Sequence, residues 1–128
     1  VPELHVNLAL AYFRLGRAAE AVSALEKAAS LAPTDPRVQF QLGSAYVDMK
    51  DLPKAAAALE AGLARVSDPK DPVVYEARVT LAGVYFASNA PDKAEQQSQQ
   101  ALAVQPTGPS ALLGLGRALF SRGNTADA

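Results

Sequence analysis

Cysteine is absent from the 128 residues, which excludes disulfides, thiolate nucleophiles and cysteine–zinc sites. Tryptophan is absent as well, and His5 is the single histidine. A nucleophilic triad needs a nucleophile, a base and an orienting group in contact. One imidazole on a helical segment, with no nucleophile motif around any serine, offers no such set. Carboxylates sit as caps and on solvated faces; Asp48 and Asp51 could approach each other near a helix end, without a catalytic or metal role being expected of them. No strand precedes a glycine-rich phosphate loop. No catalytic residue, metal ligand or cofactor is therefore expected, and the chain is read as a non-enzyme. Charge of one sign is also lacking. The formal net charge is −1, without a Lys/Arg run, which speaks against nucleic acid and against a polybasic membrane surface. No apolar run approaches the roughly 18 residues of a membrane span. The sequence opens on Val1 rather than Met, so a longer natural chain is expected and no compartment is assigned; cytoplasm and periplasm fit equally.

What the chain does have is apolar residues, 49% of the total, with alanine, the best helix former, in excess. They recur. Leu8-Ala9-Leu10-Ala11-Tyr12 is followed by Leu42-Gly43-Ser44-Ala45-Tyr46, Leu81-Ala82-Gly83-Val84-Tyr85 and Leu115-Gly116-Arg117-Ala118-Leu119. The leucine spacings are 34, 39 and 34 residues, a 34-residue period with five extra residues around Ser67–Pro72. A second block recurs in register: Ala21, Ala55 and Ala94; then Leu25, Leu59 and Ser98; then Ala28, Gly62 and Ala101. Such a period is the mark of a repeat architecture. Within each unit the apolar positions fall at helical spacing twice over, as in Leu4, Leu8, Ala11, Leu15 and in Ala18, Ala21, Val22, Leu25.

The nine prolines agree. Pro2, Pro36, Pro53, Pro72, Pro91 and Pro109 are expected in first turns, where a missing N–H costs nothing. Asp35, Asp51, Asp71 and Asn89 precede four of them as expected N-caps. Pro33, Pro69 and Pro106 are placed in exit loops. Gly16, Asp51, Asn89 and Asn124 punctuate the turns inside the units. The helices are expected at about 2–15, 18–32, 36–50, 52–66, 72–88, 91–105 and 109–122, with the start of an eighth beyond. The fold class is all-α: an α-solenoid of antiparallel helix pairs. The repeats run at about 2–35, 36–71, 72–108 and a truncated 109–128, forming one domain.

These residues resemble the tetratricopeptide repeat, whose first helix carries leucine, a small residue and tyrosine, whose second carries alanine, a large residue and alanine, and whose units close on proline. The first large position of that signature holds His5, Gln39, Arg78 and Leu112 here, and Ser98 replaces a large residue. The resemblance implies a right-handed superhelix, first helices lining a concave groove, and a scaffold or adaptor that recognises another protein, as a peptide or amphipathic helix. Carried across residue by residue, the concave rows are Val6, Phe40, Val79, Leu113; Phe13, Val47, Phe86, Phe120; and Leu10, Ser44, Gly83, Arg117. Gln41 stands among them as a polar group able to bond a ligand backbone. This apolar stripe is read either as a binding surface or as packing between first helices. Chaperone-binding members of the family hold a carboxylate in a basic clamp; its positions here carry Val6, Leu10, Gln41, Glu76 and Thr80, none of them basic. The glutamine-rich stretch Glu95–Gln100 is read as a solvated convex face. Leu112, Leu115 and Leu119 expect a covering helix, supplied by a continuing array or by a second copy. The Ala/Gly-rich composition is like that of bacterial members, many of which serve envelope assemblies. The alternative is a structural or self-associating segment with no groove ligand.

Overall fold

Helix-forming stretches separated by short breaks dictate the architecture, and the described residues of the computed structural model form seven α-helices: α1 (Pro2–Arg14), α2 (Ala18–Leu31), α3 (Pro36–Asp48), α4 (Leu52–Leu63), α5 (Val73–Ala87), α6 (Pro91–Val104) and α7 (Pro109–Asp127). It describes residues 2–33, 35–68 and 70–127, with side chains from 4 to 121 apart from 34 and 69. Pro69, expected in an exit loop, lies outside the described residues. Among the described residues there is no strand, and no helix is long and apolar enough to cross a membrane.

The chain divides into two compact units, Val1–Arg65 and Val66–Ala128. In the first, α1 pairs with α2 and α3 with α4, and α2 packs on α3. In the second, α6 packs on both α5 and α7, and α5 also touches α7. The turns between paired helices are too short for anything but an antiparallel arrangement.

Those turns share one design. The backbone is left-handed at Gly16 (φ 73°), Lys50 (φ 61°) and Asn89 (φ 61°), positions in register with the repeat. The next residue's N–H donates back to the signature tyrosine: Arg17 to Tyr12, Asp51 to Tyr46 and Ala90 to Tyr85, at 2.8–2.9 Å. The left-handed residue itself donates to Phe13, Val47 or Phe86. This is the paired hydrogen bonding of a Schellman ending, which satisfies otherwise orphaned carbonyls. Two expectations are corrected here. Lys50, not Asp51, holds the turn, while Asp51 caps α4 by accepting from the Lys54 N–H. Asn89 is the turn residue of α5 rather than the N-cap of α6, which is Ala90. Asp35 caps α3 as expected. Asp71 accepts from Val73 one residue ahead of Pro72, the N-cap itself. A third correction concerns the end: α7 continues through Asn124 to Asp127, so among the described residues no turn forms at Asn124 and no eighth helix starts.

Small residues set the helix spacing. A Cβ on Gly43 would lie 2.6 Å from Leu59 Cγ, and one on Gly62 would lie 2.5 Å from the Phe40 ring. Glycine is thus required where α3 and α4 cross. In the first unit Ala9, Ala21, Val22, Ala24, Leu25, Leu42, Ala45 and Ala58 form one buried cluster. In the second, Tyr75, Ala101 and Ala111 form another. The Tyr75 ring lies against Gly108 too closely for any side chain there, and its hydroxyl accepts from the Ala111 N–H at 3.4 Å.

Candidate functional site

The first helices α1, α3, α5 and α7 carry every residue expected at a binding surface. The structure sorts these residues into packed and presented ones, unit by unit. In the first unit Val6 and Phe13 are half-buried against the core cluster. Phe40 is half-buried with its ring seated on Gly62. Gln41 and Val47 are half-buried, and Leu10 is exposed. In the second unit Val79 packs on the Tyr75–Ala101–Ala111 cluster. Phe86, Leu113, Arg117 and Phe120 are exposed, Phe120 to 71%. Gly83 and Gly116 have open space where a side chain would stand. Packing thus takes up much of Val6, Phe13, Phe40 and Val79, while Leu10, Phe86, Leu113 and Phe120 turn large apolar surface to solvent. The Phe86 carbonyl accepts from the Asn89 N–H in the helix-ending turn, so this ring projects from fixed backbone.

Polar groups follow a second periodic pattern. Arg17 lies over the Tyr12 ring at 5.1 Å, Lys54 over Tyr46 at 5.7 Å and Lys93 over Tyr85 at 5.5 Å, distances at which a cation is attracted to the ring face. Lys54 and Lys93 are in register; the corresponding residue of the first repeat is Glu20, which pairs with Arg17. Tyr46 donates to Glu26 Oε1 at 2.8 Å. Loss of solvent around its hydroxyl, reinforced by that bond and by the carboxylates of Glu26 and Asp51, pushes its pKa up to about 12.

One polar cluster has no counterpart in the sequence reading. Arg78, where the signature often has a large apolar residue, sends Nη1 to Gln97 Oε1 at 3.0 Å and to Gln100 Oε1 at 2.6 Å. Burial lowers the pKa of this guanidinium. Part of the glutamine-rich stretch therefore serves contact between α5 and α6 rather than a wholly solvated face; Gln96 and Gln99 remain exposed. The available signal was an arginine at a core-type position with glutamines one helix later. Ser98 is completely buried, and its hydroxyl has no hydrogen-bond partner. A Cβ on Gly114 would stand 3.0 Å from it, so two small residues let α6 and α7 approach.

His5 is half-buried on α1 and Asp48 is exposed. Among the described residues no three His, Cys, Asp or Glu side chains gather as a metal site would require.

Antiparallel helix pairs repeating in register, with Leu10 exposed on α1 and Phe86 on α5, define a helical-repeat protein-interaction module. Sequence models of the tetratricopeptide repeat match residues 12–75 and 89–128. The chain belongs to the tetratricopeptide repeat family, which is generally non-catalytic. A comparison with curated proteins gave no match. Among solved structures, the chain is similar to the first tetratricopeptide domain of Spaghetti (RPAP3) bound to the HSP90 peptide SRMEEVD, at 18% identity and a TM-score of 0.86, covering 95% of this chain and 93% of that one. It is similar to the MamA protein at 24% identity and 0.85, covering 95% and 64%. A tetratricopeptide repeat protein from Parabacteroides merdae matches at 24% and 0.84, covering 96% and 46%. The chain thus spans nearly the whole of the first structure but less than two thirds of the other two.

Proposed function

We propose that the chain is a non-catalytic scaffold or adaptor segment that holds a peptide or amphipathic helix of another protein against the apolar surface of its first helices. The observation that carries this reading is the exposure of Leu10, Phe86, Leu113 and Phe120, large apolar residues at the repeat positions that face ligands in the family. Exposed large apolar side chains, here Leu10 in the first unit and Phe86, Leu113 and Phe120 in the second, are a common mark of a binding site. The half-buried Gln41 in the first unit and Arg117 in the second add polar groups able to bond a ligand, while Val6 and Phe13 in the first unit and Val79 in the second pack on the core of their own unit. The RPAP3 domain with its HSP90 peptide supports an extended peptide as one ligand type. A chaperone tail is not the ligand expected here, because Glu76 is exposed at a clamp position and would repel a terminal carboxylate.

The test is capture of partners from the source organism's lysate by the chain and by a Leu10→Ser/Phe86→Ser/Phe120→Ser variant. These three residues are exposed, so helicity is retained and circular dichroism checks it; Phe13 is unsuitable because it packs on the core. A partner held by the parent and lost by the variant supports the reading. Equal recovery, or a concentration-dependent mass without any partner, favours the structural or self-associating alternative.

A further inference from the structure

A glycine inside a helix weakens it relative to alanine through backbone entropy, so each one calls for a physical reason. Among the described residues the fold supplies that reason for all glycines but two. Gly16 has a positive φ. A Cβ on Gly43, Gly62, Gly108 or Gly114 would meet Leu59, Phe40, Tyr75 or Ser98 at 3.0 Å or less. On Gly83 or Gly116 it would meet nothing within 4 Å. Gly116 is in register with Gly43, the position where Leu59 of the paired second helix takes up the space. Gly83 has no such explanation. It stands within α5, and the paired helix α6 and the following first helix α7 both pack on α5 without reaching it. The equivalent residues Leu10, Ser44 and Arg117 all carry side chains. Val79 and Phe86, four residues before Gly83 and three after, share its side of the helix. Val79 packs on the Tyr75–Ala101–Ala111 cluster, and Phe86 is 40% exposed, so Gly83 is a gap between them. Glu76 lies on the same side, about 10 Å back along the axis. It is exposed, and its carboxylate pairs with nothing among the described residues. Arg78, the other charged residue of α5, is bound to Gln97 and Gln100 of α6.

We propose that Gly83 is the seat of one large apolar side chain, an aromatic or a leucine, of an extended peptide ligand, and that a lysine or arginine three residues away in that peptide pairs with Glu76. Glycine lets another chain come against the helix backbone itself. Three residues of extended chain span about 10 Å, the separation of Gly83 and Glu76 along α5. Arg117 takes the Gly83 position on α7 and is exposed, so a cation is disfavoured level with the seat and favoured near Glu76. With α6 and α7 both in place, the gap is not a face that a further repeat covers. The seat lies in the surface proposed above to hold a ligand and rests on that reading, to which it adds the chemistry of the ligand.

The probe is a library of random short peptides displayed on phage and selected on the immobilised whole chain. Selected peptides are then dye-labelled and titrated by fluorescence anisotropy. They are expected to share a large apolar residue with a lysine or arginine three residues from it. Gly83→Ala raises the denaturant midpoint of the chain while weakening these peptides about tenfold, because a methyl group closes the seat. Gly116→Ala raises the midpoint and leaves binding unchanged. Glu76→Gln weakens a peptide that has the basic residue but not the same peptide with alanine in its place, the signature of a direct contact in a double-mutant cycle. A Gly83→Ala chain that is less stable than the parent, or that binds as tightly, overturns the proposal. So do selected peptides whose residue at that spacing is acidic or neutral. In each of these cases, loss of binding in the Leu10→Ser/Phe86→Ser/Phe120→Ser variant leaves the apolar-surface reading standing. Selection of no peptide, or of peptides that hold this variant as tightly as the parent, overturns both.

Discussion

The Tyr46 hydroxyl donates to Glu26 at 2.8 Å, tying the first helix of one repeat to the second helix of the repeat before it. Hydrogen bonds to charged acceptors contribute more than neutral ones, but this pair is near solvent, so Tyr46→Phe is expected to cost about 1 kcal/mol. Its pH signature is specific. Tyrosine is charged when deprotonated, and the folded protein raises the pKa of Tyr46 from 10.0 to about 12. The unfolded chain releases this proton first. The stabilisation is therefore complete below pH 10 and is lost as pH rises from 10 to about 12. Denaturant midpoints across that window should fall more steeply for the parent than for Tyr46→Phe.

Gly43 and Gly116 occupy the same repeat position in opposite surroundings. A Cβ at Gly43 meets Leu59 at 2.6 Å, whereas at Gly116 it meets nothing within 4 Å. Gly43→Ala should destabilise by about 2 kcal/mol through overpacking. Gly116→Ala should stabilise by roughly 0.5–1 kcal/mol through helix propensity. Chemical denaturation of the two variants gives opposite signs if the spacing of α3 and α4 is set as described.

Lys50 sits at φ 61° in the position that Gly16 fills with glycine. A side chain in the left-handed region costs roughly 1–2 kcal/mol. Lys50→Gly should recover about 1 kcal/mol of that, and Gly16→Ala, which has no steric neighbour, should lose a similar amount. Thermal unfolding of both variants checks the pair.

Ser98 has a fully buried hydroxyl without a partner. Leaving such a group unsatisfied costs about 1–3 kcal/mol, so Ser98→Ala should raise stability by about 1 kcal/mol. A loss on this substitution would reveal a hydrogen bond that the geometry does not show.

The helix pairs were legible because their signals are local: Pro36 and Pro91 start helices, Asp35 and Asp51 cap them, and Gly16 ends one. Lys50 was not, since nothing in a lysine announces a positive φ; only its register with Gly16 and Asn89 does. Arg78 with Gln97 and Gln100 was missed because glutamines read as solvated until their partner helix is placed. The binding rows were legible as positions but not as exposures. Phe13 and Phe86 are equivalent in the repeat, yet Phe13 packs on the first unit's core while Phe86 is exposed, and that difference depends on neighbours no period encodes. The continuation of α7 to Asp127 overrode Asn124, because the turn preference of a lone asparagine is weak.

The most direct test of the central claim is photocross-linking in source lysate from a photoreactive residue placed in turn at Phe86, Phe120 and Gln96, all exposed. Capture of one and the same polypeptide from Phe86 and Phe120, and not from Gln96 on α6, is the expected result. Capture from Gln96 alone, or from none of the three, would contradict a peptide or helix held on the first helices.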